Sequence, residues 1–226
     1  MNVQLNHIHA QEHIADLHRS AARARRTPAA TRSAAGTPLK PGNSLRLADG
    51  TQLRLRAIGP DDRGRLAALF ARLSPQSRYR RFLSPKSKLS PGERSYFTDV
   101  DDIHHVAVAA VDQRDGSIVG VGQYAEWTDQ AKVAEIAVVV ADELHSMGIG
   151  TALAVRTVQL ARANGLTLLT ARTLRENRPA RALLQRLGFS PGASHGNELE
   201  EQLELDGPNV RQPIARHEPT TNGAWT

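Results

Sequence analysis

A single carboxylate interrupts a long apolar run. Glu135 is the only acid between Val133 and Ala141, and a charge in such a strand is costly unless it is solvated or used. A carboxylate held there can accept a proton as a general base. Its plainer role is a strand-end residue that faces solvent or pairs with an arginine from a neighbouring element. Ten residues on, His145-Ser146-Met147-Gly148-Ile149-Gly150-Thr151 follows a short loop and opens a helix. The first N–H groups of a helix have no intrahelical partner, and the macrodipole adds positive potential, so the segment can hold a phosphate or diphosphate without a lysine. Gly148 and Gly150 would let such a ligand approach the backbone, although a plain helix start also uses glycine. Two common nucleotide motifs do not fit. The dinucleotide fingerprint needs a third glycine where Leu153 stands, and the Gly-Lys-Ser/Thr of a P-loop is absent. Further on, Asn177 precedes Arg178-Pro179-Ala180 as the N-cap of another helix that Gly188 ends.

Composition narrows the remaining chemistry. The 226 residues contain no cysteine, which excludes disulfides, thiolate metal sites and cysteine nucleophiles together. Catalysis must use carboxylate, imidazole, hydroxyl or backbone groups. No apolar run approaches the roughly 18 residues of a membrane span, and the Arg-rich start lacks the apolar stretch of a secretory signal, so the expected location is cytoplasmic. The net charge of +6 is unevenly spread: residues 1–40 carry six basic and two acidic groups, whereas 193–226 carry two basic and six acidic. Arg23, Arg25, Arg26 and Arg32 could touch nucleic acid, but no aromatic residues interleave with them as stacking platforms, so nucleic acid is not an expected partner. His9 and His13 have helical metal-ligand spacing without a partner to complete a site, and no metal is expected.

The elements that must position Glu135 and the glycine loop can be read from periodicity. Residues 1–43, low in large apolar groups, are expected to form a basic arm without a fold, apart from a short helix within 1–18. A single domain over 44–207 and a flexible tail over 208–226 complete the chain. Alternation in Gln52–Ile58 predicts a strand. Pro60-Asp61-Asp62 opens a helix with Leu66, Leu69, Phe70 and Leu73 as its buried stripe. Short helices are expected at Pro75–Phe82 and Pro91–Phe97, and a two-stranded meander at His105–Val111 and Ser117–Trp127 with a turn at Asp115-Gly116. A strand at Val133–Val140, a helix at Ile149–Ala163, a strand at Leu166–Ala171, a helix at Asn177–Leu187 and a last strand at Glu198–Leu205 follow. The order predicts an α/β (α+β) domain with a central mixed, mostly antiparallel sheet flanked by helices.

The glycine loop together with Asn177 and the Leu187-Gly188-Phe189 helix end resembles the GNAT superfamily of acyl-CoA-dependent N-acyltransferases. The likeness runs from about Leu47 to Leu205. Within it, Leu73-Ser74-Pro75-Gln76-Ser77-Arg78-Tyr79-Arg80-Arg81-Phe82, Val100-Asp101 and the Ala134–Val140 strand resemble the bacterial protein-lysine acetyltransferase branch. The resemblance implies acetyl-CoA as co-substrate and an amine as acceptor, either protein lysine or a small amine such as a polyamine or aminoglycoside. It also leaves room for a degenerate domain that binds acyl-CoA without turnover. It implies that Val138, Val139 and Val140 pair with the pantetheine arm. The segment His145, Ser146, Met147, Gly148, Ile149, Gly150 and Thr151 would cradle the diphosphate, Asn177 would contact the pantetheine end, and Glu135 would serve as general base. Two departures stand out. His145, Ser146 and Met147 occupy loop positions where the family often has Gln or Arg, then Gly, then Arg or Lys. Leu184 occupies the place of a tyrosine that many members use to protonate the departing thiolate.

Overall fold

A computed structural model describes residues 44–127, 130 and 132–205. The arm, the helix expected within 1–18, the His9/His13 pair and the tail lie outside the described residues. Among those described, one eight-stranded sheet runs in the order β1-β2-β3-β4-β5-β6-β8-β7. Its strands are β1 (Ser44–Arg46), β2 (Gln52–Ala57), β3 (His105–Asp112), β4 (Ile118–Glu126), β5 (Val133–Val140), β6 (Leu168–Leu174), β7 (Ser190–His195) and β8 (Glu198–Glu204). Every neighbouring pair is antiparallel except β5 and β6. Five α-helices cover the two faces: α1 (Arg63–Arg72), α2 (Pro75–Phe82), α3 (Pro91–Thr98), α4 (Ile149–Ala163) and α5 (Arg178–Arg186).

Side-chain alternation sends each strand's residues to two different cores. On one face, Leu66, Leu69 and Phe70 of α1, Phe82 of α2 and Phe97 of α3 bury against Ala107, Ala109 and Val121. On the other, Leu153 of α4 packs with Val108 and Val119, and Val158 packs with Ile136, Leu169 and Leu184. The parallel pairing of β5 with β6 requires a crossover, which α4 supplies. Helix α4 comes unusually close to β4. A Cβ on Gly122 would lie 2.7 Å from Thr157 Oγ1 and 3.2 Å from Leu153 Cβ. Gly122→Ala is therefore expected to destabilise the fold by about 1–3 kcal/mol through overpacking, seen as a lower denaturant midpoint with an unchanged slope.

Local chemistry explains most element ends. Ser74 caps α2 by accepting the Ser77 N–H, Ser90 and Glu93 form a reciprocal capping box on α3, and each helix has proline in its first turn. Two elements have boundaries more than one residue from the sequence expectation. Residues Pro60–Asp62 form a tight 3-10 turn before α1 begins at Arg63. In that turn the Asp62 carboxylate receives Arg56 at 2.6 and 2.7 Å and the Gly59 N–H at 3.1 Å. Strand β6 starts at Leu168 and continues to Leu174, beyond the expected end at Ala171. Leu166 still closes α4, its N–H donating to Ala161 after a left-handed Gly165. Arg172, Thr173 and Leu174 stay extended because β8 pairs with them as far as Glu198.

Candidate functional site

The sheet parts at Glu135. β5 and β6 are in register only at Val133–Leu168, Ala134–Leu169 and Glu135–Thr170, whereas β5 stays paired with β4 along its whole length to Val140. Among the described residues, one edge of Ile136–Val140 is thus left without a strand, and its backbone donors and acceptors need other partners. A cleft of about 580 Å³ opens there. It is lined by β5 from Glu135 to Val140, by the loop leading into α4, by Arg172 and Thr173 of β6, and by α5 with its cap.

Glu135 sits at the point of divergence. The β4–β5 register has no bulge, so Glu135, Ala137 and Val139 share one face. Val139 packs with the core beneath α1–α3, which fixes that face as the one toward those helices. Glu135 Oε2 lies 3.4 Å from Arg172 Nε, with both side chains largely buried. The arginine pairing that was the plainer expectation for Glu135 is present, and the carboxylate lines the cleft as well.

The loop has the geometry of an anion cradle. Gly148 is the N-cap of α4 at φ 85°, with no side chain capping the helix and no acid in its first turn. The N–H groups of Ile149, Gly150 and Thr151 consequently point out of the helix end without intrahelical acceptors. A Cβ on Gly148 would meet nothing within 4 Å, and one on Gly150 only Val140 and Leu183 side chains at 3.8 and 3.9 Å. His145, Ser146, Gly148, Gly150 and Thr151 line the cleft. Met147 and Ile149 do not present their side chains to it. Both pack into the core with Val140 and Leu153, so only their backbone can serve the cradle. His145 turns back onto the strand, its Nε2 donating to the Val140 carbonyl at 3.0 Å, which occupies one polar group of the segment expected to meet pantetheine. Val138 and Val139 border the cleft beside it.

Two contacts tie this loop to the opposite wall. Asp142 accepts the Ser74 N–H at 2.5 Å and the Ser77 hydroxyl at the start of α2. Burial pushes its carboxyl up, but these hydrogen bonds outweigh that and hold it below the usual range. Glu143 pairs with Arg72 at the end of α1.

Asn177 caps α5, its Oδ1 3.5 Å from the Ala180 N–H, and faces the cleft. Leu184 is buried on that wall, and Tyr79 lies exposed outside the lining. Among the described residues, Arg80, Arg81, Arg172 and Arg186 line the cleft against one acid, Glu135. Arg172 escaped the sequence reading because the strand end was placed one residue short of it. Arg186 gave no signal beyond an ordinary basic residue in a last helical turn.

A strand parted from its parallel neighbour, a bare helix N-terminus at the far end of the gap and a basic lining define a fold built to seat a polyanionic thioester in extended form. The group that fits is coenzyme A, whose diphosphate such a helix end could hold and whose pantetheine arm could lie along the open strand edge. The chain belongs to the acetyltransferase (GNAT) family, whose model matches residues 72–189. It is 31% identical over 145 residues to acetyltransferase PA5475 of Pseudomonas aeruginosa, covering 63% of this chain and 77% of that one. Among solved structures, it is similar to the GNAT domain of S. lividans PAT. That likeness has a TM-score of 0.67 at 26% identity, over 74% of this chain and all of that domain (100%). It also shares the fold of yncA, a putative acetyltransferase from Salmonella typhimurium solved with acetyl-CoA, with a TM-score of 0.57 at 16% identity over 72% of this chain and 99% of that one. The chain is an acetyl-CoA-dependent N-acetyltransferase. No helix among the described residues is long and apolar enough to cross a membrane.

Proposed function

We propose that the protein transfers acetyl directly from acetyl-CoA to a primary amine, with Glu135 as general base. The observation that carries this reading is the position of Glu135: among the described residues it is the only carboxylate lining the cleft, at the residue where β5 and β6 part. An alkyl ammonium has a reference pKa of about 10.4 and cannot attack until a proton leaves. Glu135 takes that proton, and the nitrogen lone pair adds to the thioester carbonyl carbon. Backbone N–H groups at Val138 or Val139 stabilise the developing oxyanion. The C–S bond then breaks, the second nitrogen proton is released, and the thiolate is protonated. Overall, ammonium plus acetyl-CoA gives the N-acetyl amide, coenzyme A thiol and one proton. No enzyme-bound acyl group is needed, which suits a chain with no cysteine. With leucine at 184, the thiolate takes its proton from water or a cleft hydroxyl such as Ser77, Thr151 or Thr173.

The diphosphate is held by main-chain amides from Ser146 to Thr151, with Met147 and Ile149 contributing backbone only, and Asn177 offers its side-chain amide to the pantetheine end. Among acceptors, four arginines against one glutamate disfavour polycations such as polyamines and aminoglycosides. An amine with little other positive charge, a protein lysine among them, is compatible with that lining. The test is thiol release from acetyl-CoA across a panel of primary amines and lysine peptides. Amine-dependent release is expected. Acetyl-CoA binding by calorimetry with no release on any amine would overturn the reading in favour of a non-catalytic binding domain.

A further inference from the structure

A small cavity of about 30 Å³ lies beneath α1–α3. Leu69, Phe82 and Phe97 close it from the helices, and Val121 and Gln123 of β4 with Val139 of β5 form its floor. Val139 and Arg81 line the cleft as well, so the two spaces adjoin at those residues. The walls are apolar apart from Arg81 and Gln123. The guanidinium of Arg81 lies over the rings of Phe82 and Phe97, 5.0 and 5.7 Å from their centres. Gln123 has no comparable contact. Its side chain is only 6% exposed, and among the described residues no hydrogen bond or ion pair engages its amide. A buried amide without partners is costly, and an apolar chamber holding one such group has the make-up of a small-ligand subsite.

The sheet register places this chamber relative to the reacting group. Gln123 stands directly opposite Ala137, and Val121 opposite Val139, so all four side chains share the face that carries Glu135. The cleft floor is β5 and the chamber floor is β4, one strand spacing of about 4.8 Å away. At Ala137 only a methyl group stands between them. With the thioester carbonyl at the backbone of Val138 or Val139, the acyl chain attached to it begins at the mouth of the chamber. One water position takes roughly 10–15 Å³, so the chamber holds about two or three non-hydrogen atoms. An acetyl group ends at its second carbon and supplies none of them. An oxygen on a third carbon reaches up to about 3.8 Å from the thioester carbon, and a hydrogen bond of about 2.9 Å spans the remaining step to Gln123.

We propose that the chamber is an acyl-chain subsite whose occupant is a four-carbon acyl group bearing a hydroxyl or oxo group on its third carbon, and that Gln123 is the residue selecting it. This extends the proposed function and rests on its placement of the thioester. A hydroxyl both donates and accepts, as the glutamine amide does, and the fourth carbon meets the apolar wall. Acetyl remains a substrate that leaves the chamber unfilled. The transfer step is unchanged: the N–C bond forms, the C–S bond breaks, and the oxygen on the third carbon takes no part.

Calorimetry on the full chain, with no acceptor present, compares acetyl-CoA, butyryl-CoA, acetoacetyl-CoA and both enantiomers of 3-hydroxybutyryl-CoA. At least one oxygenated thioester is expected to bind about tenfold or more tighter than butyryl-CoA, because the plain chain leaves the amide buried and unpaired. Gln123→Leu should erase that difference by weakening the oxygenated thioester and not butyryl-CoA, while acetyl-CoA affinity stays within a few-fold. The thermal midpoint of the variant without ligand should be unchanged or higher, since an unpartnered amide gives way to an apolar group of similar size. Equal affinity for butyryl and oxygenated thioesters in the unaltered protein would overturn the proposal whether or not the variant folds. So would a tenfold loss of affinity on every chain longer than acetyl, or a preference that survives Gln123→Leu. These three results leave amine acetylation intact. The expected preference without thiol release on any amine would support the subsite and remove only the catalytic reading, whereas no binding of acetyl-CoA itself would remove the thioester placement on which the proposal stands.

Discussion

Glu135→Gln should lower kcat by about 10²–10⁴-fold, the usual contribution of a positioned general base. The substitution preserves shape and hydrogen-bonding capacity while removing the charge. Arg172 then loses its ion pair, and the two side chains are 19% and 15% exposed, so some loss of stability accompanies the loss of rate. The two effects separate cleanly. On the proposed placement acetyl-CoA is held by the helix end and the strand edge, so calorimetry should show its affinity within a few-fold of the original. A plot of kcat/KM against pH distinguishes the roles further. If Glu135 removes the proton, raising pH should partly rescue the variant, because more acceptor arrives already deprotonated. A Glu135 that only anchors Arg172 gives no such rescue, and its loss shows mainly as a lower thermal midpoint. Retention of more than about a tenth of the original kcat would exclude a general-base role of ordinary size.

The sequence exposed those parts of the site that depend on local rules. Val133–Val140 and Ile149–Ala163 are strand and helix over the expected residues, because a continuous apolar run and a 3.6-residue stripe are each self-sufficient signals. Gly148 is in the left-handed conformation and caps α4, as a glycine before a helix start suggests. Strand β7 was not foreseen. Its Ser-Pro-Gly-Ala-Ser-His carries no large apolar residue and is exposed throughout, so it exists only because β8 offers an edge to pair with. Long-range register was equally hidden. The parting of β5 from β6 follows from a three-pair register between segments more than thirty residues apart, and nothing in either segment alone fixes where pairing stops. The arginines around Glu135 follow the same logic. From sequence, Arg78, Arg80 and Arg81 could equally line the cleft or be solvated helix arginines; the structure puts Arg80 and Arg81 in the lining and leaves Arg78 out of it. Arg172 becomes a partner of Glu135 only once Thr170 is opposite it in the sheet.

The coenzyme site allows an equally sharp test, one in which stability and binding should move independently. Gly150 lies in the first turn of α4, where a new Cβ meets only side chains at ordinary contact distances of 3.8 and 3.9 Å. Its φ is not among the positive values, so a side chain causes no backbone strain. Aspartate in the first turn of a helix interacts favourably with the macrodipole by about 0.3–1 kcal/mol, and replacing glycine reduces unfolded-state entropy. Gly150→Asp should therefore leave the thermal midpoint unchanged or raise it. Its carboxylate nevertheless stands at the amides that would hold the diphosphate. Setting a like charge against that ligand costs several kcal/mol, so acetyl-CoA affinity should fall by about 100-fold or more, since 1.4 kcal/mol corresponds to tenfold. Gly150→Asn, neutral and close in volume, should recover most of the affinity and thereby assign the loss to charge and not to bulk. Raised salt should narrow the difference between the two variants by screening. A Gly150→Asp protein that binds acetyl-CoA as tightly as the original would mean that the diphosphate is not seated on the N-terminus of α4, and the extended placement of the coenzyme along β5 would fail with it.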